Sequence, residues 1–152
     1  MNSPEEIDAL ARMRFDEAKI LFQHNKFDGA YYLSGYSIEL LLKSKICRRL
    51  GIPNLFSDDE TTFKELEGIS EVRKALKTHN LFTLLIFSGL KVPFDQAKAT
   101  NKNLSLANSL LFQKWSESLR YKPCGHIAES ECKNLINLLE RDNGIMQWIT
   151  RN

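Results

Sequence analysis

One stretch governs what this chain can become. Residues 27–50, FDGAYYLSGYSIELLLKSKICRRL, contain no proline, and around a helical wheel apolar or aromatic side chains face most directions. Only a narrow arc of Ser34, Ser37, Ser44, Lys45 and Arg48 reads as wet. A helix that apolar needs neighbours on most sides, so the stretch predicts a bundle built around it. Gly51 and Pro53 mark its end. Gly35 costs about 1 kcal/mol relative to alanine in a helix interior, which predicts the close approach of another helix at that point.

The remaining segments supply the neighbours. Ser3 followed by Pro4 and by Glu6 three residues on is a helix start, and Ile7, Leu10, Ala11, Phe15, Ala18, Leu21 and Phe22 form one stripe, ending near His24 and Asn25. Arg14 falls inside that stripe. Over residues 52–78 the pattern weakens: Ser57-Asp58-Asp59-Glu60 reads as a solvated turn, and Phe63, Leu66, Val72 and Leu76 support only short helical pieces. A short apolar helix follows His79-Asn80 and stops at Ser88-Gly89, and residues 91–102 read as a polar connection. Residues 103–119 place Leu104, Leu111, Phe112, Trp115 and Leu119 on one helical face, broken by the 120–125 run RYKPCG. A last helix over 127–141 buries Ala128, Cys132, Leu135, Ile136 and Leu139, with one more turn after Asn143-Gly144. The expected fold is all-α: an antiparallel, up-and-down bundle of four main helices plus short ones, in a single domain over residues 1–152.

Composition narrows the function classes. With 43% hydrophobic and 26% charged residues the chain can bury a core, which excludes a disordered tail. Lys and Arg exceed Asp and Glu by only 21 to 19, so net charge alone does not point to nucleic acid. The apolar runs are too short to span a bilayer and the acidic start is unlike a secretory signal. Three cysteines give no disulfide framework. These features predict a cytoplasmic protein that makes no membrane contact.

Candidate chemistry lies where polar residues interrupt apolar faces. Glu39 and Lys43, four apart on the stripe of Tyr32, Tyr36 and Cys47, form either a mutually satisfied pair at the bundle edge or a device in which Glu39 orients a second cation, such as Arg14 or Arg120, in a shared cleft. The first reading carries more weight. Arg120 and Tyr121, with His126 across a short loop, offer a phosphate fork and a titratable imidazole, a pair suited to metal-free cleavage of RNA. The competing reading has Arg120 capping helix carbonyls and His126 in a solvated turn. His79-Asn80 reads as a helix cap. Cys124, His126 and Cys132 lack the tight Cys-x2–4-Cys knuckle of a structural zinc site, and no phosphate-binding glycine loop or nucleophile elbow occurs, so neither metal nor cofactor is expected.

Several of these pieces resemble one known family. The run FDGAYYLSGYSIELLLKSK is similar to the second helix of HEPN-domain proteins (Higher Eukaryotes and Prokaryotes Nucleotide-binding), with its aromatic-Asp opening, Gly-Tyr-x-Ile/Val-Glu and Leu-Lys. His79-Asn80-Leu81 resembles that family's start of a short helix, and Trp115 with Arg120-Tyr121-Lys122-Pro123 resembles its Arg-Tyr-x-Pro ending. The resemblance implies a helical bundle that forms a two-fold homodimer. It implies either a metal-independent endoribonuclease of toxin or defence type, or a non-catalytic module that binds a nucleotide or partners a separately encoded nucleotidyltransferase antitoxin. In the ribonuclease, Arg120-x5-His126 supplies the catalytic pair and Glu39 holds Arg120, with Lys43, Arg14 and Tyr121 binding or orienting. The family pattern often has a polar residue where Tyr121 stands, and Pro123 and Gly125 make the spacer a loop.

Overall fold

A computed structural model describes residues 3–57 and 64–152 and, outside 64–66, their side chains. All regular structure among them is helical. Helix α1, Pro4–Gln23, starts as its sequence dictates, with Ser3 Oγ accepting the Glu6 amide and proline in the first turn, and Asn25 takes a left-handed φ of 59° to turn the chain. Helix α2, Phe27–Leu50, ends at Gly51 with φ 67°. The two helices run antiparallel: Ser44 Oγ near the end of α2 donates to the Pro4 carbonyl at the start of α1, and Arg48 pairs with Asp8 at 2.8 Å and Glu5 at 3.2 Å.

Of the arc of α2 expected to be wet, Arg48 is exposed and Lys45 half-buried, but the three serines are buried. Ser34, Ser37 and Ser44 have no exposed surface, and each hydroxyl is satisfied by a backbone carbonyl: Ser34 by Ala30, Ser37 by Ser34, Ser44 by Pro4. A hydroxyl that can reach back to a helical carbonyl brings its own partner into the core, so serine does not mark solvent as lysine does. Gly35 also differs from expectation. What approaches it is the indole of Trp115 rather than a helix backbone; an added Cβ would overlap that ring, whose Nε1 donates to the Tyr32 carbonyl at 3.1 Å.

Helix α3, Lys64–Leu76, is a single thirteen-residue helix where only short pieces were expected. Ser57 is buried rather than in a solvated turn, while residues 58–60, Phe63 and the Leu66 side chain lie outside the described residues. Helix α4, Leu81–Phe87, has the predicted limits, and Asn80 Oδ1 caps it by accepting the Thr83 amide at 3.0 Å. The expected polar connection after it is partly helix α5, Lys91–Lys98: Pro93 sits in its first turn, where a missing amide costs nothing, and Phe94 anchors it in the core. Phe94 packs on Phe112 and Trp148 at ring distances of 5.3 and 5.4 Å.

The expected long helix over 103–119 is three pieces: α6, Lys102–Ala107; a π-helical turn, Asn108–Phe112; and, after a break, a 3₁₀ turn, Glu117–Tyr121. The wide π turn frees the Leu110 carbonyl to accept the buried Tyr31 hydroxyl at 3.0 Å, and the break swings Trp115 onto α2. Helix α7, Glu129–Glu140, buries Cys132, Leu135, Ile136 and Leu139 as expected, whereas Ala128 is its exposed N-cap. Helix α8, Ile145–Arg151, closes the described chain. Helices α1, α4, α7, α8 and the 3₁₀ turn all contact α2, which makes it the central rod. No helix among the described residues is long and apolar enough to cross a membrane.

Candidate functional site

The strongest polar arrangement grows from Glu39. Its position on α2 leaves it 1% exposed, so its charge needs partners. Lys43, one turn on, donates at 2.7 Å and also lies over the Phe56 ring, 5.5 Å from its centre. The second partner comes from outside the helix. His79 Nδ1 stands 2.9 and 3.1 Å from the two Glu39 oxygens. Because Asn80 alone caps α4, His79 is released from the expected capping role and turns inward.

The far side of the same imidazole faces a groove. His79 is 43% exposed, and its Nε2 lies 3.4 Å from Glu117 on the 3₁₀ turn. Glu117 in turn pairs with Arg120, one turn away on the same element. The chain of contacts Glu39–His79–Glu117–Arg120 thus leads from the core to the surface, and its middle members, His79 and Glu117, line a groove of about 310 Å³ with Asn80, Trp115, Ser116 and Ser118 among others. The direct contact expected between Glu39 and Arg120 is replaced by this relay. Trp115, which walls the groove, stacks on Tyr32 at 5.8 Å, and Tyr32 stacks on Tyr36 at 6.3 Å, so an aromatic column backs that wall along α2. Burial, reinforced by the Glu39 charge, pushes the Tyr36 hydroxyl pKa up.

Arg120 is on the surface with its guanidinium 4.9 Å from the ring centre of Tyr121, itself 76% exposed. Partial desolvation opposes its charge, but hydrogen bonding to Tyr121 and the Glu117 carboxylate outweigh it. Arg120 is therefore a permanent cation with a free outer side. Arg14 binds both oxygens of Glu17 on its own helix instead of Glu39.

His126 belongs to a different cluster. Asp28 at the start of α2 accepts the Gly125 amide at 2.6 Å and the Ile127 amide at 2.9 Å, pinning the loop after the 3₁₀ turn to the opening of α2. His126 sits inside that clasp, its Nδ1 3.0 Å from the Pro123 carbonyl and 3.4 Å from Asp28, and its buried Nε2 has no hydrogen-bond partner among the described residues. Cys124 is exposed and Cys132 is in the core, and among the described residues no cluster of His, Cys, Asp and Glu is arranged to hold a metal ion.

Sequence reasoning singled out Glu39, Lys43 and Arg120 and missed His79 and Glu117 as their connection. The available signal was redundancy: two polar residues precede α4 and one cap is enough. No family model, no curated protein and no solved structure matches the chain.

Proposed function

We propose that this is a HEPN-type domain that cleaves RNA without a metal ion, with Arg120 holding the scissile phosphate and a histidine moving the proton. The observation that carries the proposal is the Glu39–His79 pair at a groove whose Glu117 also pairs with Arg120. A buried carboxylate that accepts from Nδ1 fixes the orientation of the imidazole and points Nε2 at the Glu117 carboxylate 3.4 Å away. Once Glu117 swings off Nε2, that nitrogen is placed to serve as a general base. In this reading His79 Nε2 takes the proton of a ribose 2′-hydroxyl, whose oxygen attacks the adjacent phosphorus. The bond to the 5′-oxygen breaks, that oxygen takes up a proton, and a 2′,3′-cyclic phosphate and a 5′-hydroxyl result. Arg120 stabilises the charge that gathers on the phosphoryl oxygens. Glu117 holds Arg120 in place and yields it to the substrate.

His126 is the other candidate for the proton transfer, on the resemblance of Arg120-x5-His126 to the family motif. Comparison of His79→Gln, His126→Ala and Arg120→Ala in a single-stranded RNA cleavage assay with EDTA separates them. The expected result is a loss of about 10²- to 10⁴-fold for His79→Gln, and of about 10²- to 10³-fold for Arg120→Ala. Full activity in His79→Gln with none in His126→Ala would transfer the role to His126. No cleavage by the unaltered protein would remove the enzymatic reading.

A second reading, a non-catalytic module acting through dimerisation, is favoured by one surface. Phe82, Ile86 and Phe87 on α4 and Val92 on α5 are 43–64% exposed, and Lys91 at the start of α5 lies over the Phe82 ring. A second copy of the chain, or a nucleotidyltransferase partner, would cover it. Sedimentation of Phe82→Ser/Ile86→Ser against the unaltered protein tests self-association: a dimer that becomes a monomer supports it, and a monomer in both cases opposes it.

A further inference from the structure

The far side of α2 carries a second polar surface. At about 100° per residue, Leu41, Lys45 and Arg48 lie opposite Glu39 and Lys43. There α1, α2 and α8 enclose two adjoining hollows of about 230 and 300 Å³ that share Leu41 and Thr150 as a common wall. Lys45 and Arg48 line the first with Asp8, and Arg12 and Arg151 line the second. Four cations gather there against the carboxylates of Asp8 and Glu5, an excess of two in a protein whose net charge is +2.

Most of that charge is uncommitted. Arg48 is engaged by Asp8 and Glu5, but Arg12, Lys45 and Arg151 make no ion pair among the described residues. Lys45 is half-buried; desolvation, then the Arg48 charge, pulls its pKa down, with Asp8 opposing only in part. A desolvated ammonium beside another cation is relieved by an arriving anion. Asp8 and Arg12 on α1, like Leu41 and Lys45 on α2, are one turn apart, which spaces the two ends of the groove by on the order of 6 Å. A single phosphate fills one end, whereas a chain of phosphates reaches both.

We infer that this groove, formed by Arg12, Lys45, Arg48 and Arg151 on the face of α2 away from His79, binds the phosphodiester backbone of a single nucleic-acid strand. The inference does not depend on cleavage, because the contacts are to phosphate and not to a 2′-hydroxyl. It gives the protein a docking track separate from the Glu39–His79 groove.

The test is equilibrium binding of a fluorescent single-stranded oligodeoxynucleotide, which lacks the 2′-hydroxyl and so is inert to the proposed reaction, measured over a series of salt concentrations. Arg12→Ser/Arg151→Ser removes two exposed, unpaired cations. Lys102→Ser/Lys133→Ser removes two exposed cations elsewhere and serves as the charge-matched control. The groove variant is expected to lose about tenfold in affinity at low salt and to flatten the log–log salt slope by about 1.4, two contacts at about 0.7 each, with the control close to the unaltered protein. The inference is overturned by no binding by the unaltered protein, by equal loss in both double variants, or by unaltered strand binding in the groove variant. Inorganic phosphate as competitor covers the remaining source. If it displaces the strand at micromolar concentration, the groove is a small-anion site and the strand assignment falls.

Discussion

His79 Nδ1 lies 2.9 Å from one oxygen of Glu39 and 3.1 Å from the other, although the two residues are forty positions apart and only Glu39 is buried. The contact ties α4 to the central rod and sets the direction in which the imidazole presents Nε2. Its energetic weight falls on Glu39, which also neutralises Lys43. Glu39→Ala should therefore leave a buried ammonium unpaired and cost about 3–5 kcal/mol in urea unfolding. Glu39→Gln, which keeps the shape and an acceptor for His79, should cost less. Equal stability of Glu39→Ala and the unaltered protein would show that the pair is solvated in solution.

Gly35 and Trp115 give a packing prediction. With the indole lying where a Cβ would be, Gly35→Ala must displace Trp115 and break its bond to the Tyr32 carbonyl. A loss of about 1–3 kcal/mol is expected, together with a red shift of tryptophan emission as the ring moves toward water. Since Trp115 also walls the candidate groove, RNA cleavage should fall in the same variant.

Asp28 gives a pH dependence. Burial by itself raises its pKa, but the Gly125 and Ile127 amides, with His126 nearby, hold it below the usual value. A group depressed in the folded state contributes fully above its unfolded pKa of about 4, and that contribution is lost as pH falls through the folded value. Asp28→Asn should thus lower stability near neutrality and flatten its decline below about pH 4. Amide exchange at Gly125 and Ile127 should quicken in parallel.

The cysteines differ sharply in environment. Burial raises the Cys47 thiol, and burial, with the Asp28 and Glu131 charges, pushes Cys132 up to about 12, so neither offers thiolate at pH 8. Cys124 is exposed. A chromogenic disulfide reagent should titrate one thiol quickly in the native protein and three after unfolding, and Cys124→Ser should remove the quick phase.

Much of the scaffold was legible because it rests on local signals. Ser3-Pro4 starts α1, Gly51 ends α2, and the apolar stripes of α1 and α7 pack as their spacing requires. The misread parts depend on partners distant in sequence or on exceptions to a pattern. Phe94 is a single core anchor in an otherwise polar segment, and it nevertheless fixes α5. Residues 103–119 keep helical periodicity while the backbone widens at Asn108–Phe112 and breaks before Glu117, because satisfying the Tyr31 hydroxyl and the Tyr32 carbonyl on α2, with Trp115 seated against Gly35, outweighs regular hydrogen bonding. In the site, Glu39 and Arg120 stood out as charges in awkward places. The link through His79 and Glu117 joins α2, the start of α4 and the 3₁₀ turn, and no spacing within one element encodes it.

The proposed cleavage of RNA at the His79–Glu117 groove, with Arg120 beside it, proceeds through the strand's own 2′-hydroxyl, and end-group analysis of a single-stranded RNA incubated with the purified protein in EDTA is its sharpest test. The expected products are a 2′,3′-cyclic phosphate on one fragment and a 5′-hydroxyl on the other. Intact RNA, or fragments ending in 3′-hydroxyl and 5′-phosphate, would refute it.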